Sequence, residues 1–295
     1  MTLIPAIIAA QGIVPPPAPQ NPSPMVEATR VHERLAPRDL AGIRRSFTGP
    51  LRKPVEVWIP EGVKRTAELH LVIHFLGAAW LPEYAVSRLG KNTVCAVVNL
   101  GAGSGIYDRA FSEPAAFDSL LAGIAREISD VSDAPAHFRR VTLVGFSAGH
   151  GAVRVILRDP AHFERVDAVL LLDGMHTSYV PEGTVLAAGG TLDPRNLDAF
   201  VRFAQAAMRG QKRFLVTHSE IFPGTFASTT ETADYVLHAL GLRRTPVLRW
   251  GPRGMQQLSE VHAGGFDLLG FAGNTAPDHI DHFQAMPEFL ERLSR

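Results

Sequence analysis

Residues 141–157, VTLVGFSAGHGAVRVIL, leave the chain little freedom. The β-favouring residues Val141 to Val144 run straight into Gly145-Phe146-Ser147-Ala148-Gly149, and the residues beyond Gly149 have the apolar spacing of a helix. A strand that passes directly into a helix must turn sharply, and glycine at 145 and 149 removes the Cβ atoms that would collide in so tight a turn. Ser147 then stands at the apex, beyond the carboxyl end of a strand. The backbone N–H of Ala148 falls at a helix N-terminus, where the partial positive charge stabilises an anion. The plain alternative is a polar residue in a glycine-rich connection, because G-x-S-x-G alone is a weak signal. The strand-turn-helix context favours a nucleophile held on a turn.

The surroundings supply that context. From about residue 41, strand signals (54–60, 69–75, 93–101, 141–145, 166–172, 213–219) alternate with helix signals (113–130, 148–158, 196–210, 229–240), and Ser228-Thr-Thr-Glu231 forms a capping box for the last of these. A less regular β segment, roughly 246–271, precedes a terminal helix over 280–293. Such alternation predicts an α/β class: a mostly parallel, doubly wound sheet with helices on both faces, carrying its chemistry at the carboxyl ends of the strands.

At these residues the sequence resembles the α/β-hydrolase family, over roughly residues 40–295 as a single catalytic domain. The resemblance rests on Gly145-Phe-Ser147-Ala-Gly149 and the strand order around it. It implies a serine hydrolase that cleaves a carboxylic ester through an acyl-enzyme on Ser147, without a cofactor. The alternatives are an amide or peptide hydrolase or an acyltransferase with the same residues, or a catalytically silent binding module on this fold. A serine hydroxyl needs a base, and the base needs an orienting carboxylate, in the family order Ser, acid, His.

Among twelve histidines, His279 stands out: GNTAPDHIDHFQAMPEFLERL (273–293) puts it at the end of a Gly/Asn/Pro loop just before the terminal helix, where the family carries its base. His282, about one turn on, is the alternative base. A metal site built from Asp278, His279, Asp281 and His282 is disfavoured, because no second ligand cluster accompanies them. For the acid, Asp173 ends the apolar strand VDAVLLLD and should emerge at the same sheet edge as Ser147. Glu220, one strand later, is the family's commoner placement and the alternative. A terminal Asp that merely caps a turn is the plain reading.

The second oxyanion N–H should come from HFLGAAWLPE (74–83), which resembles the family's His-Gly loop except that Leu76 precedes Gly77. Ala78 is the expected donor beside Ala148, with Ala79 as an alternative. Trp80, His176 and Tyr179, just past strand ends, are expected to line the substrate pocket or to be packed loop residues. NLGAGSGIYD (99–108) lacks both the G-x-G-x-x-G spacing and the Lys-Ser/Thr of a phosphate loop.

Composition removes other classes. With 29 basic and 29 acidic residues there is no net field to recruit nucleic acid or an anionic membrane; the partner that the resemblance implies is a small-molecule ester or acyl substrate. Cys95 is the only cysteine, so an intrachain disulfide is excluded, and its apolar run marks it as a core residue. Residues 1–26 join a short apolar run, TLIPAIIAA, to a proline-rich spacer. They are read as a signal peptide for export to the periplasm or medium, the alternative being a disordered tail on a cytoplasmic protein. No later segment has the roughly 18 apolar residues of a membrane span.

Overall fold

The structure is a computed structural model that describes residues 30–63, 68–90, 92–132 and 134–295. The expected signal peptide and spacer lie outside the described residues. In chain order the strands are β1 (Gly42–Phe47), β2 (Val55–Pro60), β3 (Glu68–Phe75), β4 (Thr93–Val98), β5 (His137–Phe146), β6 (Ala168–Leu172), β7 (Tyr179–Val180), β8 (Thr191–Leu192), β9 (Arg213–His218), β10 (Thr245–Trp250), β11 (Gln256–Ala263) and β12 (Phe266–Phe271). The helices are α1 (Trp80–Ser87), α2 (Ser104–Phe111), α3 (Ala116–Ser132), α4 (His150–Ile156), α5 (Pro160–Arg165), α6 (Asp198–Met208), α7 (Thr229–Leu240), α8 (Ala276–Gln284) and α9 (Met286–Ser294).

Ten strands form one sheet in the order β1-β2-β4-β3-β5-β6-β9-β12-β11-β10. The six from β4 to β12 run parallel, and the flanking strands β2 and β11 are antiparallel to their inner neighbours. This crossover order with helices on both faces is the α/β-hydrolase fold. Both faces are covered, so the central strands are apolar throughout. On β3, Leu71, Ile73 and Phe75 join the core under α2, α3, α4, α6 and α7, while Val72 faces the opposite core of α1 and α9. Cys95 is buried in that second core, as its apolar run predicts.

The sequence reading differs from the structure at several elements. The segment 246–271 resolves into three strands, of which β12 completes the parallel set. The terminal helix begins earlier, at Ala276, because Thr275 caps it in a reciprocal box with Asp278. It also breaks at Ala285, two residues before Pro287 of the next helix. Among the described residues no helix is long and apolar enough to cross a membrane.

A tight backbone contact lies where β5 turns into α4: a Cβ on Gly149 would fall 2.2 Å from the Phe75 carbonyl oxygen at the end of β3. Gly149→Ala is therefore expected to destabilise the fold by roughly 2 kcal/mol or more, as overpacking of rigid backbone does. A lowered urea midpoint measures this, and an unchanged midpoint refutes it.

Candidate active site

Ser147 opens a single 3₁₀ turn (Ser147–Gly149) between β5 and α4, and its φ of +48° places a non-glycine residue in the left-handed region. Small neighbours permit this. A Cβ on Gly145 would come within 3.1 Å of Gly149 backbone, and one on Gly174 within 2.5 Å of the Ser147 carbonyl oxygen. His150 Nδ1–H donates to that same carbonyl at 2.8 Å and ties the turn to the first residue of α4. The Ser147 side chain is partly exposed, and among the described residues its hydroxyl has no hydrogen-bond partner in the protein.

Asp173 follows β6, the strand beside β5, and it too is left-handed, with φ of +43°. Its carboxylate is buried yet fully engaged. Oδ1 accepts from Ser219 N–H (2.9 Å) and Thr229 Oγ1 (2.7 Å), while Oδ2 accepts from Ser219 Oγ (2.8 Å) and His279 Nδ1 (2.7 Å). Burial alone would push this carboxyl up. The facing His282, the His279 hydrogen bond and the Ser219 amide outweigh it and hold the group well below the usual carboxylate range. An ionised carboxylate only accepts, so the proton of the neutral imidazole sits on His279 Nδ1, and Nε2 has no hydrogen-bond partner among the described residues. The imidazole also packs over Phe146, the residue before Ser147, with ring centroids 4.7 Å apart. Asp173 and His279 thus meet at the carboxyl edge of the sheet next to the Ser147 turn: Gly174, after Asp173, lies against the Ser147 backbone, and His279 packs on Phe146. His279 itself is the fourth residue of α8, not part of a preceding loop as the sequence suggested.

The alternatives lie elsewhere. Glu220 is exposed, and its carboxylate accepts from Gly273 N–H at 3.4 Å rather than meeting His279. His282 is buried beneath, paired through Nδ1 with Thr217 Oγ1 at 2.8 Å and set edge-on to Phe271. Of the four residues weighed as a metal set, Asp278 and Asp281 come together, with His32 rather than with His279 and His282, which turn to Asp173 and Thr217. Asp278 caps α8 and bonds Arg30, while Asp281 is gripped by Arg30, Arg34 and His32.

In the 74–83 loop Leu76 is left-handed (φ +70°), and its N–H is occupied by the Val98 carbonyl at 3.1 Å. The Ala78 N–H has no hydrogen-bond partner among the described residues. His74 holds this bend, a role the sequence reading missed. It is fully buried, its Nε2–H donates to the Leu76 carbonyl at 2.8 Å, and its ring stacks on Phe283 of α8. The available signal was a histidine within the apolar run Leu71–Phe75, two positions before the left-handed bend. A cavity of about 550 Å³ opens at Ser147, with Leu76, Ala148, His176 and Phe226 in its wall. Of the three expected pocket residues only His176 lines it. Tyr179 is turned into a small core with Val185 and Ala227 and donates its hydroxyl to Glu231, and Trp80 packs on the α1/α9 core.

No family model and no curated protein matches the chain. Solved structures similar to it include a feruloyl esterase module from Clostridium thermocellum complexed with sinapinate (12% identity, TM-score 0.49, covering 85% of this chain and 89% of that one). Two others are S-formylglutathione hydrolases. The one from Staphylococcus aureus has 10% identity and TM-score 0.45, covering 88% of this chain and 100% of that one; the one from Agrobacterium tumefaciens has 13% and 0.45, covering 87% and 96%.

Buried neutral histidines support the site and make the fold sensitive to acid. Burial lowers His74 to about 4, and burial together with the nearby Arg244 cation lowers His218 to about 4. Between pH 7 and 5 the unfolded chain takes up protons on these groups and the native state does not, so stability must fall as pH falls. The loss is on the order of 2 kcal/mol per histidine at pH 5. Urea midpoints at pH 7.5 and 5 measure it, and an unchanged or higher midpoint at pH 5 contradicts it.

Proposed function

We propose that the protein is a serine hydrolase that cleaves carboxylic esters through an acyl-enzyme on Ser147. The observation that carries this reading is the 2.7 Å hydrogen bond from His279 to buried Asp173, beside a serine held in left-handed backbone at the end of the neighbouring strand. His279 Nε2 takes the proton as Ser147 Oγ attacks the ester carbonyl, and Asp173 stabilises the imidazolium that forms. The N–H groups of Ala148 and Ala78 receive the oxyanion of the tetrahedral intermediate. His279 then returns the proton to the departing alkoxide, and water repeats the sequence on the acyl-enzyme. An ester is the favoured substrate because an alkoxide leaves with less protonation than an amide nitrogen requires.

Ser147→Ala is expected to abolish nearly all ester turnover, by up to about 10⁶-fold in kcat, with the fold retained by circular dichroism. A fluorophosphonate probe should label the parent protein at Ser147 and leave the variant unlabelled. Turnover above a few per cent of the parent value would make Ser147 a turn residue.

The two carboxylates separate by paired substitutions that keep volume and remove charge. Asp173→Asn favours the wrong histidine tautomer and should cost roughly 10⁴-fold in kcat. Glu220→Gln loses only a long contact to Gly273 and should stay within severalfold of the parent. The reverse ranking would transfer the acid role to Glu220.

A further inference from the structure

The wall of the Ser147 cavity is more polar than a plain alkyl ester would need. Ser147, His150 and Arg154 recur at helical spacing along the turn and α4 and face the same cavity, with Asp108 of α2 opposite. Arg154 is only 5% exposed. Its Nη2–H donates to Asp108 Oδ2, while among the described residues its Nε and Asp108 Oδ1 are buried without a partner. Arg154 lines the cavity, and its Nη1 has no hydrogen-bond partner among the described residues.

A buried ion pair left incompletely satisfied costs stability, and a pair serving only to join two helices would be replaced at little loss by apolar side chains. The nearby histidines do not use the spare donors. His150 donates to the Ser147 carbonyl, and His176 Nδ1 is engaged with the Ala227 carbonyl. The pair carries no net charge, so it favours a group that accepts hydrogen bonds without requiring full charge neutralisation. The helix sets the distance to the chemistry. Arg154 stands seven residues beyond Ser147, about 10 Å along the axis, and its side chain leans back toward the helix N-terminus.

We infer that Arg154, braced by Asp108, is a specificity subsite of the proposed esterase that binds an oxygen acceptor, hydroxyl or carboxylate, roughly five or six bonds from the scissile carbonyl. This rests on the hydrolase reading and deepens it.

The test compares methyl hexanoate, methyl 6-hydroxyhexanoate and monomethyl adipate by pH-stat titration, together with the matched butyl, 4-hydroxybutyl and 3-carboxypropyl acetates. Within at least one series the oxygen-ended ester should exceed its methyl-ended analogue roughly tenfold or more in kcat/KM, the scale of one charge-assisted hydrogen bond. The hydroxyl and carboxylate arms identify which acceptor is used. Arg154→Met should collapse that ratio toward unity, whereas Arg154→Lys should retain part of it. Should Arg154→Met fail to fold, the double variant Arg154→Met/Asp108→Leu removes both charges together and is read the same way. No preference in the parent protein overturns the subsite. So does a ratio unchanged in the variant while all rates fall together, which marks a purely structural pair. Absence of fluorophosphonate labelling at Ser147 overturns the hydrolase reading itself, and the subsite with it.

Discussion

The close approach of three backbone segments at the carboxyl edge of the sheet is the constraint on which the rest depends. Gly149 lies against the end of β3, and Gly174 lies against Ser147. No side chain larger than hydrogen fits at either position without moving backbone. Three of the four left-handed non-glycine residues among those described, Leu76, Ser147 and Asp173, fall at the ends of the adjacent strands β3, β5 and β6. Each such conformation costs on the order of 1–3 kcal/mol and persists only where the surroundings over-determine it. Here the surroundings do so: His74 binds the Leu76 carbonyl, His150 binds the Ser147 carbonyl, and the Asp173 N–H donates to the Thr217 carbonyl.

The same edge is braced from the helix that carries His279. A stack of rings runs from His74 through Phe283 and Phe146 to His279, with centroids 5.3, 4.9 and 4.7 Å apart. It connects the bend after β3, the residue before Ser147 and the imidazole in one packed column, and each contact adds to ordinary burial. On the opposite side α8 is fixed by the capping box of Thr275 and Asp278 and by Arg30 and Arg34 on Asp281. A shift of α8 would therefore break packing on one side and charge pairing on the other.

How much of this could be read from sequence depends on where the physical signal is local. Five of the six parallel strands were legible because burial on both faces favours apolar runs, and helix α7 because Ser228 and Glu231 satisfy its first amides. β1 was not: GIRRSF is exposed almost throughout and has no periodicity to detect. α2 begins Ser104-Gly105 and resembles a loop in composition, although tertiary packing makes it helical. The start of α8 was displaced because Gly273, Asn274 and Pro277 suggest a loop, while Pro within the first turn and Thr at the cap in fact open a helix. Tyr179 illustrates a different limit, since nothing local tells whether a residue past a strand end faces a cavity or a small core of its own. The Ala78 N–H has no side-chain signature, and the sequence reading reached it only through the resemblance of its loop.

Asp173 shows why a carboxylate suits the tip of β6 while the end of β9 carries a hydroxyl. The β9 end supplies His218 and Ser219, and Ser219 gives both its amide and its hydroxyl to Asp173. With Thr229 and His279 these fill the acceptor sites of the carboxylate, so its charge is balanced by donors rather than by a second cation in contact with it. A carboxylate so held does not take a proton at neutral pH. It can only accept the hydrogen bond of the imidazole that donates to it and so fix the orientation of that ring. Glu220, by contrast, has an exposed side chain that meets water, and a carboxylate there lacks the low-dielectric surroundings that make a buried hydrogen bond strong.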